Sequence, residues 1–192
     1  MLNLQKVLRD EVESFDKEKT LQLADFGAGI SNTTFDLYLE SKNKNISFFL
    51  LDIDQKVIDI LNKKIKDDKL NNFIAVWANV EGINNSRLKD LSLDIAIVEN
   101  LFHFLKNKKS FLLELKRVLK PGGKVFFLDN HKAMGKSVFN QRLITTQKAV
   151  EKLFEEAGFL VYPIKEEENF EKDLHKYFFV AENVQKFKIN NN

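Results

Sequence analysis

The sequence contains no cysteine among its 192 residues, so it can form no disulfide, no thiolate metal site and no cysteine nucleophile. It also lacks a long apolar run near its start. The first twenty residues, MLNLQKVLRDEVESFDKEKT, mix charged residues with apolar ones at helical spacing, unlike a signal peptide or a membrane span. We therefore expect a cytoplasmic protein without a membrane partner, in which residues 1–20 form an N-terminal helix.

A strong charge of one sign is missing as well. Lys and Arg number 30 against 28 Asp and Glu, and the net charge of +2 gives little attraction to nucleic acid or to an anionic membrane. The length suits one domain with a substantial core and is too short for two ordinary domains. We place that domain at residues 21–182, followed by a polar tail at residues 183–192.

Apolar, β-favouring runs alternate with stretches of helical periodicity along most of the chain, as is typical of parallel strands joined by crossover helices. The first five predicted strands are Thr20–Phe26, Ile46–Leu51, Phe73–Trp77, Leu93–Val98 and Lys124–Leu128. Several of these runs are almost entirely apolar, which predicts helices on both faces of the sheet. Two further segments, Leu160–Ile164 and Tyr177–Val180, predict an antiparallel hairpin at one edge.

The stretch LADFGAGIS takes the first predicted strand into a turn of small residues, Gly27, Ala28 and Gly29. Such a turn lets the backbone approach a ligand closely, and a helix that Ser31 or Asn32 could cap follows it. No Lys or Arg stands between positions 25 and 41, which excludes a nucleotide-binding P-loop. A dinucleotide fingerprint would need glycine at position 32. A ligand without phosphate, such as S-adenosylmethionine, fits better.

The ends of the next two strands supply the polar groups that such a ligand needs. Asp52 follows the second strand, where a carboxylate can accept hydrogen bonds from ribose hydroxyls, with Ile53 beside it. Asp54 is interpreted as the cap of the helix that starts near Gln55. After the third strand, Asn79 can meet an adenine edge, with Val80 and Trp77 near it, although Trp77 and the many Phe residues are expected to belong mostly to the core.

With these motifs the chain resembles the class I S-adenosylmethionine-dependent methyltransferases from about residue 21 to residue 180. ELKRVLKPGGKVFFLD is the most specific matching piece, beside LADFGAGIS, LLDID, WANVEG and SLDIAIVENLFHFL. The resemblance implies an α/β fold, a seven-stranded Rossmann-like sheet that is mostly parallel with an antiparallel edge hairpin. It also implies a set of cofactor-binding residues: Asp25, Gly27, Ala28 and Gly29 near the methionine moiety, Asp52 and Ile53 at the ribose, Asn79 and Val80 at the adenine, and Glu99. Asn79 stands where the family often has aspartate.

Glu99 and Asn100 would then line the methyl-transfer site. Methyl transfer from a sulfonium is a direct in-line displacement, in which positioning and desolvation can supply much of the acceleration. A base is wanted only for some acceptors, and His103, after the fourth strand, is the candidate. The alternative is that His103 packs or hydrogen-bonds between Phe102 and Phe104.

Two other features of the last strands leave alternatives open. Asp129 and Asn130 look like the Asp-Asn pair of metal-dependent O-methyltransferases, with Glu99 as a third oxygen ligand for Mg²⁺, but a simple cap is favoured and no metal is expected. His131 is a second candidate base, and His175 is interpreted as structural or solvated.

The expected class of methyl acceptor follows mainly from motifs that the sequence lacks. The Asn-Pro-Pro-aromatic loop used on amino nitrogens is replaced by ENLF, and no basic arm or appended RNA-binding module is present in the sequence. We expect a small-molecule acceptor, covered by the segment NHKAMGKSVFNQRLITT with Arg142 as an anion contact, in a monomer or homodimer. An RNA or protein methyltransferase and an inactive, methyltransferase-like interaction protein remain the alternatives.

Overall fold

A computed structural model of the protein describes residues 4–30, 33–130, 146–163 and 176–184. Its helices are α1 (Leu4–Ser14), α2 (Thr33–Glu40), α3 (Gln55–Asp67), α4 (Lys108–Val118) and α5 (Gln147–Glu156), with a short 3-10 helix at Phe102–Phe104. Its strands are β1 (Leu21–Phe26), β2 (Ile46–Asp52), β3 (Phe73–Trp77), β4 (Leu93–Glu99), β5 (Leu119–Asn130), β6 (Phe159–Pro163) and β7 (Lys176–Asn183).

The strands form one seven-stranded sheet in the order β3-β2-β1-β4-β5-β7-β6. The first five strands in the chain run parallel, and β7 lies antiparallel between β5 and β6. The predicted fold, a mostly parallel sheet with an antiparallel hairpin at one edge, is confirmed. Strand order reverses between β1 and β4, and in open α/β sheets ligands bind beyond the carboxyl ends of the strands at such a point.

Strand β5 begins earlier than the predicted Lys124. Leu119 pairs with Leu93, whereas Lys124 pairs with Ile95, so the segment between Leu119 and Lys124 forms an irregularity in the pairing. That segment contains the Lys-Pro-Gly-Gly turn, in which Gly122 has a φ of +77°. The turn therefore lies inside the strand, because β4 pairs with the chain on both sides of it.

The side chains of successive strand residues point alternately into two separate cores, one on each face of the sheet. Helices α1, α2 and α3 cover one face, where Leu8, Leu37 and Ile58 belong to the same core as Leu23 and Ile97. On the opposite face α4 and α5 enclose the second core, which includes these buried residues: Ala24, Phe26, Val98, Phe111, Leu115, Phe127 and Phe154. This arrangement agrees with the predicted two-faced burial and holds the carboxyl ends of β1, β2 and β4 side by side.

Several predictions fall on residues outside the described ranges. These are the caps at Ser31 or Asn32, the roles of His131, His175 and Arg142, and the covering segment that follows β5. The boundaries proposed at residues 20 and 182 stay predictions. None of the helices in the described ranges is long and apolar enough to cross a membrane.

Candidate active site

A cavity of about 390 Å³ opens at the carboxyl ends of the strands, beside the point where strand order reverses. Loops after β1, β2, β3 and β4 form its walls. Its lining residues are Gly27, Leu51, Asp52, Ile53, Ala78, Asn79, Val80, Glu81, Asn100, Leu101, Phe104 and Leu105. Six of the residues predicted from the sequence therefore meet in one cavity: Gly27, Asp52, Ile53, Asn79, Val80 and Asn100.

The glycine turn folds back over the end of β2. The amides of Gly27 and Ala28 both donate to the carbonyl of Leu51, at 2.8 and 2.9 Å. Gly27 has a φ of +74° and Gly29 a φ of +55°, conformations that glycine adopts without steric cost. A Cβ at Gly27 would lie 2.9 Å from Cδ1 of Leu101, so the turn also needs glycine for its close approach to the loop after β4.

The carboxylate of Asp52 joins the glycine turn to the start of α3. Its Oδ2 accepts a hydrogen bond from the amide of Gly29 at 2.9 Å, and its Oδ1 accepts one from the amide of Asp54 at 2.9 Å. Each oxygen keeps a second lone pair for a ligand hydroxyl. Asp54 itself is the N-cap of α3 and accepts from the amide of Lys56, which confirms its predicted role.

The third wall of the cavity follows β3. Ala78 and Val80 are buried there, with the exposed Asn79 between them. The Oδ1 atom of Asn79 accepts from the amide of Glu81 at 3.1 Å. Trp77 differs from prediction, since its side chain is 39% exposed and is not among the cavity-lining residues. The guanidinium of Arg87 lies over its ring, 5.3 Å from the centroid, in a cation–π contact at the surface.

Two carboxylates lie under the turn and bind consecutive threonines of α2. Asp25 is almost completely buried, and its Oδ2 accepts from the hydroxyl of Thr34 at 2.5 Å. Glu99 accepts from the hydroxyl of Thr33 at 2.9 Å. Burial raises the pKa of Asp25 to about 7, the hydrogen bond from Thr34 opposes this, and the charges of Glu99 and Asp52 add to the rise. These two residues therefore hold the first turn of α2 against β1 and β4.

His103 and Asp129, which the sequence suggests only as two separate candidates, form a hydrogen-bonded pair. Nδ1 of His103 lies 2.5 Å from Oδ1 of Asp129, and the His103 amide donates to Oδ2 at 3.0 Å. The Asp129 side chain is 1% exposed, against 28% for His103. Asp129 pairs with Tyr177 of β7, whose pKa is raised by burial and further by the charges of Asp129 and Glu151.

Both Asp129 oxygens thus contact His103. Within the ranges that the structure describes, no cluster of three or more His, Asp or Glu side chains could hold a metal ion. A signal for the pair exists once the strand order is known. If the fourth and fifth strands are adjacent and parallel, their carboxyl ends lie side by side. His103, just after the fourth strand, is then close to Asp129, at the end of the fifth.

Glu81 and the apolar residues around it also line the cavity, although no sequence pattern pointed to them. The Oε2 atom of Glu81 accepts from the amides of Lys106 and Asn107, both at 2.8 Å. This connects the loop after β3 with the start of α4. Nearby, burial lowers the pKa of Lys108, while Asp129 and Glu81 pull it upward. Phe104 lines the cavity with a ring that is 70% exposed and only 3.9 Å from the His103 ring.

Comparisons with known proteins agree with this geometry. Residues 24–127, more than half of the chain, match the family described as methyltransferase domain. The fold is similar to that of the CurJ carbon methyltransferase, with a TM-score of 0.79 and 17% identity, covering 95% of this chain and 53% of that one.

Two curated relatives from yeasts match over the same region. A tRNA(Thr) (cytosine(32)-N(3))-methyltransferase of Saccharomyces cerevisiae is 26% identical over 109 residues, which are 55% of this chain and 17% of that protein. The tRNA N(3)-methylcytidine methyltransferase trm140 of Schizosaccharomyces pombe is 28% identical over 110 residues, which are 56% of this chain and 36% of that protein. The chain therefore spans little more than a third, at most, of the length of these relatives.

Proposed function

Because this chain belongs to the class I S-adenosylmethionine-dependent methyltransferases, we propose that it methylates a small-molecule acceptor with His103 as the base. S-adenosylmethionine is its cofactor and supplies a sulfonium methyl group for in-line transfer. The single observation that carries the proposal is the hydrogen-bonded pair of His103 and Asp129 beside the cavity.

The pair determines which nitrogen of His103 is basic. A carboxylate only accepts hydrogen bonds, so the 2.5 Å contact places the ring proton on Nδ1. Nε2 then has a free lone pair and can take a proton from an acceptor hydroxyl or acidic carbon. With the cofactor bound, its sulfonium would supply the methyl group and leave as the neutral thioether, and Nε2 of His103 would take the proton that the acceptor atom loses.

The other predicted site residues hold the cofactor in the same proposal. Asp52 accepts from the ribose hydroxyls, since both of its oxygens are already oriented by backbone amides at the cavity wall. Asn79 and Val80 contact the adenine, Gly27 and Gly29 allow close approach of the methionine moiety, and Asn100 lines the cavity near the methyl group. Asp25 and Glu99 position the first turn of α2 through Thr34 and Thr33.

The charges at this edge of the sheet favour a small acceptor over RNA. Two carboxylates, Asp52 and Glu81, line the cavity, and negative charges there repel a polyphosphate backbone. The exposed ring of Phe104 beside His103 suits an acceptor with an apolar or planar part.

A tRNA acceptor is the second candidate, and the two yeast relatives are the observation that favours it. One experiment separates the candidates. The protein is incubated with methyl-labelled S-adenosylmethionine and either total tRNA or a metabolite extract below 1 kDa, with His103→Gln as the control. We expect label in the low-mass fraction that disappears in the variant. Label in tRNA would overturn the small-molecule proposal.

A further inference from the structure

Lys108 begins α4 at a place that is unfavourable for a cation. The N-terminus of a helix is the positive end of its dipole, and the first turn of α4 holds no acidic residue. The side chain is also partly buried, and burial lowers its pKa. A lysine in such a position needs compensating interactions. The carbonyl of Leu105 accepts from its amino group at 2.7 Å, and the charges of Asp129 and Glu81 act on it favourably.

The contacts of Lys108 fall on both ends of the 3-10 helix. Its amino group bonds to Leu105, directly after this helix, and lies 5.4 Å from the centre of the Phe102 ring, at its start. The buried Phe102 packs edge-on against Phe127, with 5.4 Å between the ring centres. Phe127 and Asp129 are two residues apart on β5, so both point to the face that α4 covers. Lys108 therefore fixes the helix on the side of the sheet where Asp129 lies.

The titratable groups around His103 come from several neighbouring elements. In the described part of the chain they are Glu81 after β3, Glu99 at the end of β4, Lys108 of α4, Asp129 of β5, Glu151 of α5 and Tyr177 of β7. Burial raises the pKa of Tyr177, so this phenol stays neutral. The ionised carboxylates all favour a proton on His103. Lys108 is the group of this set whose charge opposes that proton.

We propose that Lys108 is a positioning residue for the reaction, whose ammonium group holds the 3-10 helix and counters the carboxylates around His103, so that Nε2 keeps its free lone pair down to lower pH. A base must be neutral to take the acceptor proton. Without the charge of Lys108, protonation of His103 meets less repulsion and takes place at a higher pH. The inference rests on the proposed role of His103 as the base.

The test is an NMR titration of the histidines in wild type, Lys108→Met, Lys108→Arg and Lys109→Met, without cofactor or acceptor. Methionine keeps an apolar chain over the Phe102 ring and loses the charge, whereas arginine keeps the charge. Lys109→Met removes the same charge from the next residue, whose side chain is exposed. The resonance that disappears in His103→Gln identifies His103, and thermal melting shows whether each variant is folded.

In Lys108→Met we expect the midpoint of the His103 titration to rise by about half a pH unit or more, as for loss of a unit charge near a partly buried group. Lys108→Arg keeps the charge and Lys109→Met loses one that solvent screens, so both should stay within about 0.2 pH units of wild type. A purely structural role would lower the melting temperature of Lys108→Met and leave the midpoint unchanged. That result, or an equal rise in Lys109→Met, would overturn the proposal.

The wild type gives a second measurement, which does not depend on the folding of any variant. The side-chain resonances of Lys108 should show an inflection at the His103 midpoint, because interacting groups report each other's titration. Its absence would also overturn the proposal. Once an acceptor is known, the acid limb of the kcat profile should move with the midpoint in Lys108→Met. A midpoint that rises while this limb stays in place would support the effect of Lys108 on His103 and show that the proposed base is what fails.

Discussion

Gly27 and Leu101 come from loops on opposite sides of the point where strand order reverses, and they approach so closely that a Cβ on Gly27 would lie 2.9 Å from Cδ1 of Leu101. Gly27 also has a φ of +74°. Gly122 has a similar φ of +77°, but a Cβ there would meet no atom within 4 Å. The two glycines differ in their surroundings and share their backbone conformation.

Gly27→Ala should therefore destabilise the protein and weaken cofactor binding, whereas Gly122→Ala should only destabilise it. Left-handed backbone at alanine costs about 1–2 kcal/mol at either position. The overpacking against Leu101 adds about 1–3 kcal/mol at Gly27 alone. Urea unfolding and S-adenosylhomocysteine calorimetry on both variants measure the two effects. Equal affinity of the two variants for S-adenosylhomocysteine would contradict this interpretation of the turn.

Asp52→Asn should weaken S-adenosylhomocysteine binding about tenfold or more, because a carboxylate that accepts from ribose hydroxyls becomes an amide with one donor end. Asp54→Asn makes the same change two residues away at the N-cap of α3. Asparagine caps helices as well as aspartate does, so stability and affinity should both stay close to wild type. Calorimetry on the two variants checks the assignment, which fails if their affinities are alike.

Asp25 should make the folded state less stable as pH rises from 4 to 7. Its pKa is raised on folding from 3.8 to about 7, so the folded protein keeps this proton over a pH range in which the unfolded chain has lost it. The stabilisation is complete below the unfolded pKa and is lost as pH rises through the folded pKa.

Asn resembles the protonated carboxyl in shape and has no proton to lose, so Asp25→Asn should reduce this loss of stability. The melting temperature of Asp25→Asn relative to wild type should be higher at pH 8 than at pH 5. The control is Asp67→Asn, at an exposed position of α3. If the difference between Asp25→Asn and wild type is the same at both pH values, Asp25 is ionised throughout.

Asp129→Asn should change the tautomer of His103. The amide can turn its NH2 group toward Nδ1 while its oxygen still accepts from the His103 amide, which moves the ring proton to Nε2. Nitrogen-15 NMR of the histidines detects this change without any acceptor.

Once the acceptor is known, His103→Gln should lower kcat by about 10²–10⁴, the usual contribution of a general base. The affinity for S-adenosylhomocysteine should not change in either variant. An unchanged tautomer in Asp129→Asn would show that Asp129 does not orient the ring.

Glu114 should be one of the residues most important for stability outside the cavity. It is fully buried in α4 and accepts from Arg117 and from the amides of Asn84 and Ser86, which anchor the loop between β3 and β4. Burial raises the pKa of Glu114, but the hydrogen bonds together outweigh it and lower the pKa to about 2. Its contribution is complete above pH 4.5 and is lost as pH falls toward 2.

Glu114→Gln leaves the Arg117 guanidinium without its buried partner and should cost about 3 kcal/mol at neutral pH. Asp90→Asn removes the other carboxylate on Arg117, at a position that is 73% exposed, and should change stability by less than about 1 kcal/mol. Urea unfolding at pH 7 and pH 3 measures both. A cost for Glu114→Gln that does not shrink at the lower pH would show that the lost carboxylate charge is not its source.

The sequence was enough to predict the strands, the sheet type, the glycine turn, the position of Asp52 at a strand end, and the family. Each of these depends on a local pattern: apolar periodicity, residues that tolerate positive φ, or a carboxylate directly after a buried strand. Such patterns survive in any fold that buries both faces of the sheet, so they can be found without coordinates. The exception within the sheet is the start of β5, where the turn near Gly122 interrupts the apolar pattern that marks a strand.

Which polar groups meet depends on the tertiary structure. His103 and Asp129 are 26 residues apart, and Glu81 is 25 residues from Lys106. They come together because β4 and β5 pair with Glu99 opposite Leu128 and because the loop after β3 folds against the start of α4. The register of neighbouring strands and the path of a loop depend on packing across the whole sheet. For that reason the local sequence indicated candidate residues but not their partners.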